Sequence, residues 1–348
     1  MPLLPEHRAL QHERAPRPLP LFLELVREVS RSDPELARAA LAGLRAYESA
    51  RREQPRPARP DAARIGGTSL QDYGGSGPPA VLVPSLINPP RILDLDERVS
   101  LAAAITGMGR RALLLDWGSA EPRRDLDVAG HVEQLLVPLL RSIGEPPAVI
   151  GYCLGGTMAI AAANLTQVER IATLAAPWRF SGYPERSQSA LADMWRHSET
   201  AARNIGALPM EVLQAAFWSL DPLRTVRKFA EFGRMAPDSP EARRFVELEE
   251  WANEGEPLPY PAARELIEQL FACDRPGRGE WTVGGKAMSD ALEVPALHLL
   301  AERDLIAPPA TAPAGRRRAI PSGHVGMIVG SARERLIGAL EGFLTPCR

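Results

Sequence analysis

The stretch Ala148-Val149-Ile150-Gly151-Tyr152-Cys153-Leu154-Gly155-Gly156-Thr157-Met158-Ala159-Ile160-Ala161-Ala162-Ala163 decides the fold. Its first three residues form a short apolar run that predicts a buried strand. Its last seven are rich in alanine and predict a helix. Between them lies G-x-C-x-G-G, the nucleophile-elbow pattern with cysteine in the place of serine. A nucleophile in that pattern stands on a sharp strand-to-helix turn. Gly151, Gly155 and Gly156 have no Cβ, so the chain can fold back tightly around Cys153.

Working outward, strand and helix alternate on both sides of the elbow. Residues 80–83 and 112–115 read as strands, the second ending at Asp116-Trp117-Gly118. Residues 100–106 suit a helix. So do residues 128–143, with Val132, Leu135, Leu136 and Leu139 on one side. A further strand over 171–176 is closed by Pro177. The alternation implies a parallel sheet covered on both faces. From Trp178 to residue 292 the rhythm stops and the sequence turns helical and irregular, with Trp195, Trp218, Trp251 and Trp281 spread through it. This segment reads as a cap inserted into the core. The strand pattern resumes at 295–301 and 317–320, and a helix over 332–344 completes the sheet. Upstream, residues 20–50 hold two amphipathic helical stretches broken at Ser32-Asp33-Pro34. Residues 51–64 are rich in Arg and Pro and read as a solvated, extended linker. The expected division is 1–66 for the helical segment and linker, 67–177 for the first part of the core, 178–292 for the cap, and 293–348 for the rest of the core.

Bulk properties narrow the function classes. The 348 residues are 45% hydrophobic, enough for a substantial core, and the formal net charge of −2 gives no global attraction to nucleic acid or anionic membranes. Three cysteines (Cys153, Cys273 and Cys347) make no disulfide framework and suit a reducing compartment. The first residues carry His7, Arg8, Glu13, Arg14 and Arg17 and make a poor signal peptide. No run reaches the roughly 18–20 apolar residues of a membrane span. A cytoplasmic chain is expected. No metal-ligand cluster, phosphate-binding glycine loop or basic aromatic patch stands out, so neither a metal nor nucleic acid is expected.

A cysteine nucleophile needs a base and a carboxylate that orients it. On an α/β-hydrolase sheet these follow in the order nucleophile, acid, histidine. Asp304 comes just after the strand 295–301, at the strand end where open α/β sheets carry their sites. His324 follows in Pro-Ser-Gly-His-Val-Gly, with glycines on both sides. Glu302 is the rival acid, but it adjoins the strand end. Among the other histidines, His7 and His12 lie in the tail, His131 early in a helix and His197 in the cap. His298, in mid-strand, reads as a core residue. Cys153 alone could be a small buried apolar side chain, but the glycine frame and the ordered Asp and His favour a nucleophile. Cys273 and Cys347 lack such a frame. The oxyanion donors expected are the N–H of Leu154 and that of Leu86 or Ile87, in the loop after residues 80–83.

Together these residues resemble the polyhydroxyalkanoate synthases. The resemblance runs over residues 75–348, weakest in the cap. It rests on Val83-Pro84-Ser85-Leu86-Ile87-Asn88, Leu93-Asp94-Leu95, Leu115-Asp116-Trp117-Gly118, the Cys153 elbow, Arg303-Asp304 before Pro308-Pro309, and Gly323-His324. It implies an α/β-hydrolase fold with a mostly parallel central sheet and an inserted, mainly helical cap. It implies that Cys153 is the acylated nucleophile, His324 its base and Asp304 the group that orients His324. The implied substrate is a 3-hydroxyacyl-CoA thioester and the product a polyester, with CoA entering as part of the substrate and no separate cofactor. By size the chain resembles the short catalytic subunits that work with a second protein, so a second synthase subunit or a homodimer is implied, in the cytoplasm at polyester granules. The cap, including Glu249-Glu250-Trp251-Ala252-Asn253, matches no polymerase signature.

Cysteine suits this chemistry. Moving an acyl group from CoA to Cys153 exchanges one thioester for another, and the acyl group stays activated for a hydroxyl. A thiolate is also the stronger nucleophile, favoured by a helix N-terminus and a neighbouring histidinium. The enzymatic alternative is a cysteine hydrolase: a polyhydroxyalkanoate depolymerase, a thioesterase or a dienelactone hydrolase, which shares the Gly-Tyr-Cys-Leu-Gly-Gly elbow but is shorter and lacks a large cap. A non-catalytic granule protein on the same fold is the alternative of another class.

Overall fold

A computed structural model describes residues 15–53, 56–57 and 59–345. The chain divides into two compact units. One consists of the described residues up to Arg56 together with Leu213–Asn253. The other holds Pro57–Val212 and the chain from Glu254 onward.

The larger unit is built on eight strands: β1 Asp61–Ile65, β2 Thr68–Asp72, β3 Pro79–Val83, β4 Arg111–Asp116, β5 Ala148–Tyr152, β6 Arg170–Leu174, β7 Ala296–Ala301 and β8 Arg317–Ile320. Their order across the sheet is β1-β2-β4-β3-β5-β6-β7-β8. From β4 to β8 every pairing is parallel, while β2 runs antiparallel to both β1 and β4. The central strands β3 (Pro-Ala-Val-Leu-Val) and β5 (Ala-Val-Ile-Gly-Tyr) are buried at every position. Strands covered on both faces have no use for alternating polar residues, so they read as unbroken apolar runs. After β3 the chain turns to β4 on one side, and β5 lies on the other. The loops leaving β3 and β5 therefore diverge, opening the crevice that such a switch in strand order creates.

The expected helix over 128–143 is one helical run in three parts. Val128–His131 and Val137–Arg141 are α-helical, and Val132–Leu136 between them is a π-helical turn. Pro138 lies in the first turn after that bulge, where its missing N–H costs little.

Two expectations about organisation are corrected. The linker read to Arg64 ends sooner, because β1 begins at Asp61. Its sequence Asp-Ala-Ala-Arg-Ile is largely exposed at the sheet edge, so it carries no apolar run to announce it. A turn at Gly66, with φ of +56°, pairs it with β2. The segment 178–292 is also not one block. Residues Leu213–Asn253 belong with the N-terminal helices, and the flanking parts stay with the sheet.

The helical unit contains α1 Leu19–Ser32 and α2 Pro34–Ser49, with the helices Pro222–Phe232 and Pro240–Asn253. Asp33 separates α1 from α2 and caps α2, accepting from the Leu36 N–H at 2.9 Å. Phe22, Val26, Tyr47, Phe229, Phe232 and Val246 fill the core between these helices. Gly43 lets α2 lie directly on the helix Pro222–Phe232, since a Cβ there would stand 1.8 Å from the Phe229 carbonyl oxygen.

Candidate active site

Cys153 follows the last residue of β5 and precedes the helix Leu154–Ala163. Its own backbone takes the turn, with φ 56° and ψ −131°, a conformation L-residues rarely adopt. The three elbow glycines are needed for a different reason, close approach. A Cβ on Gly151 would stand 2.4 Å from the Gly156 Cα, one on Gly155 2.2 Å from the Val83 carbonyl oxygen, and one on Gly156 2.3 Å from the Ala176 Cβ. The turn is pinned by the Cys153 N–H on the Leu174 carbonyl (2.9 Å) and the Gly156 N–H on the Cys153 carbonyl (2.8 Å).

Asp304 and His324 leave the ends of β7 and β8 and are both buried. One Asp304 carboxylate oxygen, Oδ1, accepts from the N–H groups of Ile306 and Ala307, each at 2.8 Å. The other, Oδ2, faces His324 Nδ1 at 2.7 Å. A carboxylate can only accept here, so Nδ1 carries the proton and Nε2 is left for the Cys153 sulfur, which lies beside the ring. Burial opposes charge on the ring, but the Cys153 sulfur and the Asp304 carboxylate outweigh it and push the His324 pKa up to about 10. Sulfur, imidazole and carboxylate in this sequence can carry a proton away from a nucleophile and return it.

Sequence reasoning missed two rings at this site. Tyr152 lies with its ring centroid 5.0 Å from that of His324. Tyr183 donates its hydroxyl to the Ile306 carbonyl at 2.9 Å, bracing the Asp304 loop. The residue beside a nucleophile on a strand gave a faint hint of the first. The second is a tertiary contact without a sequence signal.

The oxyanion candidates lie at the crevice. Leu154 opens its helix, whose first N–H groups have no intrahelical acceptor. Leu86 and Ile87 are buried in the loop after β3, and the Ile87 N–H donates to Ser85 Oγ at 3.3 Å.

The remaining candidates lie elsewhere. Glu302 is exposed, and its N–H pairs with the Ile320 carbonyl. His197 is exposed on the helix Glu185–Ile205. Cys273 is exposed, and His7, His12 and Cys347 lie outside the described residues. Of the motif carboxylates, Asp94 accepts from the Tyr73 hydroxyl at 2.9 Å, and Asp116 accepts from the Gly118 N–H at 2.9 Å. Among the described residues no group of three or more His, Cys, Asp or Glu side chains is arranged to hold a metal, and no helix is long and apolar enough to cross a membrane.

His131 and His298 are buried, and burial pushes both down to about 4. Below about pH 6.5 the unfolded chain takes up protons on these rings and the folded chain does not. Stability is therefore expected to fall between pH 6.5 and 4, by about 3 kcal/mol at most for each ring. Urea titrations at pH 7 and 4.5 measure this, and a His298→Asn variant should lose less than the wild type. An equal loss in both would exclude His298 as a source.

The strand order, the elbow at the end of β5 and the carboxylate and histidine after β7 and β8 define an α/β-hydrolase fold. A solved carboxylesterase of the thaumarchaeon Nitrososphaera gargenis superposes on 82% of the chain and 97% of its own length, with a TM-score of 0.50 and 13% identity. By sequence the chain is similar to poly(3-hydroxyalkanoate) polymerase subunits PhaC. That of Haloarcula marismortui is 25% identical over 291 residues, 78% of this chain and 61% of the relative. That of Allochromatium vinosum is 23% identical over 289 residues, 76% of this chain and 80% of the relative. The chain spans about half to three-fifths of the length of the two archaeal relatives it matches. No family profile matches it.

Proposed function

We propose that the chain is an acyltransferase of the polyhydroxyalkanoate synthase type, forming an acyl-cysteine from a 3-hydroxyacyl-CoA and passing the acyl group to a hydroxyl. The observation that carries this reading is the His324 ring held between the Cys153 sulfur and Asp304 Oδ2, the latter at 2.7 Å. Similarity to the PhaC subunits supports the choice of acyl donor.

His324, beside the sulfur, takes the Cys153 proton. The sulfur attacks the thioester carbonyl, forming a C–S bond and a tetrahedral oxyanion. The N–H groups of Leu154 and Leu86 would bind that oxyanion. Leu86 is preferred over Ile87 because the Ile87 N–H already serves Ser85. Collapse breaks the bond to CoA, whose sulfur takes the proton of His324 and leaves as the thiol. His324, now neutral, removes the proton of the incoming hydroxyl. That oxygen attacks the acyl-cysteine, the C–S bond breaks, and the thiolate–imidazolium pair is restored. Asp304 keeps the ring oriented through both halves. CoA enters only as part of the substrate, with no separate cofactor. The relatives' description as subunits supports work with a second subunit; a homodimer, and a place in the cytoplasm at polyester granules, belong to the same proposal.

Purified chain with 3-hydroxybutyryl-CoA, alone and with a candidate partner subunit, tests this. CoA release should match the acyl groups found in ester-linked product. Free 3-hydroxybutyrate matching the CoA released would instead make the chain a hydrolase.

A further inference from the structure

The Leu115-Asp116-Trp117-Gly118 stretch has no part in the chemistry above, and neither does buried His131. Both belong to one buried assembly behind the oxyanion loop. Trp117 is buried at the end of β4 and donates its indole N–H to the Pro84 carbonyl at 3.2 Å. Its own carbonyl accepts from the Thr68 hydroxyl at 3.0 Å. His131 stands edge-on to the indole, with ring centroids 5.7 Å apart at 81°. The His131 Nδ1 lies 2.6 Å from the Asp127 carbonyl, which can only accept, so Nδ1 holds the proton. Its Nε2 then accepts from Arg123 Nη1 at 3.1 Å. Arg123 is itself buried and also donates to the carbonyls of Ser119 and Gly118, each at 3.2 Å.

Burying a guanidinium and an imidazole is costly unless their hydrogen bonds are met. Here the imidazole stands against the indole and the guanidinium holds the imidazole and the backbone that follows Trp117. The indole in turn fixes Pro84, whose peptide unit leads into Ser85 and Leu86. On its other side the Pro84 carbonyl presses on the elbow, 2.5 Å from where a Gly155 Cβ would be. The Pro84 carbonyl is therefore held between Trp117 and Gly155. The Ser85 hydroxyl accepting from Ile87 completes the turn that leaves Leu86 between them.

We propose that Trp117 is a positioning residue for the oxyanion loop, its N–H on Pro84 setting the direction of the Leu86 N–H. The proposal rests on the acyl-transfer reading and deepens it. Oxyanion donors matter only when a tetrahedral intermediate forms. Alkylation of Cys153 by iodoacetamide is a direct displacement without an oxyanion, so it reports the thiolate but not the hole.

Two variants separate the roles: Trp117→Phe, and full-length protein with 3-benzothienylalanine at position 117, which keeps the ring shape and replaces only N–H by sulfur. Acylation of Cys153 by 3-hydroxybutyryl-CoA should slow about 100-fold in single turnovers, as expected for a small misplacement. The KM and the alkylation rate should stay as in the wild type. Wild-type acylation rates in the benzothienyl protein would overturn the proposal. So would a parallel loss of alkylation and acylation in it, which would mark a general collapse. If the wild-type chain is not acylated at Cys153 at all, the acyl-transfer reading fails first, which the wild-type arm shows separately.

Discussion

Cys153→Ala is expected to lower CoA release from 3-hydroxybutyryl-CoA by about ten-thousand-fold or more, the scale seen when a nucleophile is removed from a cooperating set. Nothing else at the elbow can replace the sulfur. Asp304 has its oxygens committed to Ile306, Ala307 and His324, and Cys273 is exposed, with no glycine frame around it. The variant should fold, because the side chain is small and half-buried, so circular dichroism and thermal unfolding should match the wild type. Mass spectrometry of the wild type after a rapid quench should show one acyl adduct at Cys153. Release of CoA by the alanine variant at a comparable rate would remove Cys153 from the chemistry.

Gly155→Ala is expected to destabilise the protein by about 3 kcal/mol or more and to silence the site. The added methyl would meet the Val83 carbonyl oxygen at 2.2 Å and the Pro84 carbonyl oxygen and carbon at 2.5 and 2.7 Å. All three are backbone atoms of a central strand and its exit loop, so no rotamer change relieves the overlap. Either the helix Leu154–Ala163 must lift from β3 or the loop carrying Leu86 must move. Chemical denaturation measures the first cost, and single-turnover acylation measures the second. An alanine variant with wild-type stability and rate would show that the elbow does not press on the loop as described.

The parallel core is legible in sequence because its strands are covered on both faces. Val81, Leu82, Val149 and Ile150 have no exposed side to encode. Cys153, Asp304 and His324 are legible because each follows a strand end, at β5, β7 and β8. Three things are not legible. Strand β1 is an exposed edge whose pairing depends on the turn at Gly66 rather than on an apolar pattern. Trp117 looks like the close of a strand, and its contact with Pro84 exists only once β3 and β4 lie side by side. The division of 178–292 is hidden for the same reason. Periodicity marks apolar faces on α1 and α2 but does not say which later segment meets them. The centroids of the Phe22 and Phe229 rings lie 4.8 Å apart though the residues are far apart in the chain.

That aromatic contact bears on how this molecule can be inherited and recombined. The helical unit is assembled from two separate stretches of sequence, the residues before Arg56 and Leu213–Asn253. A continuous block of sequence exchanged with another protein would bring one stretch without the other. The N-terminal helices and the Leu213–Asn253 insert must therefore travel as a matched pair, and changes at Gly43 or Phe22 constrain what is acceptable around Phe229.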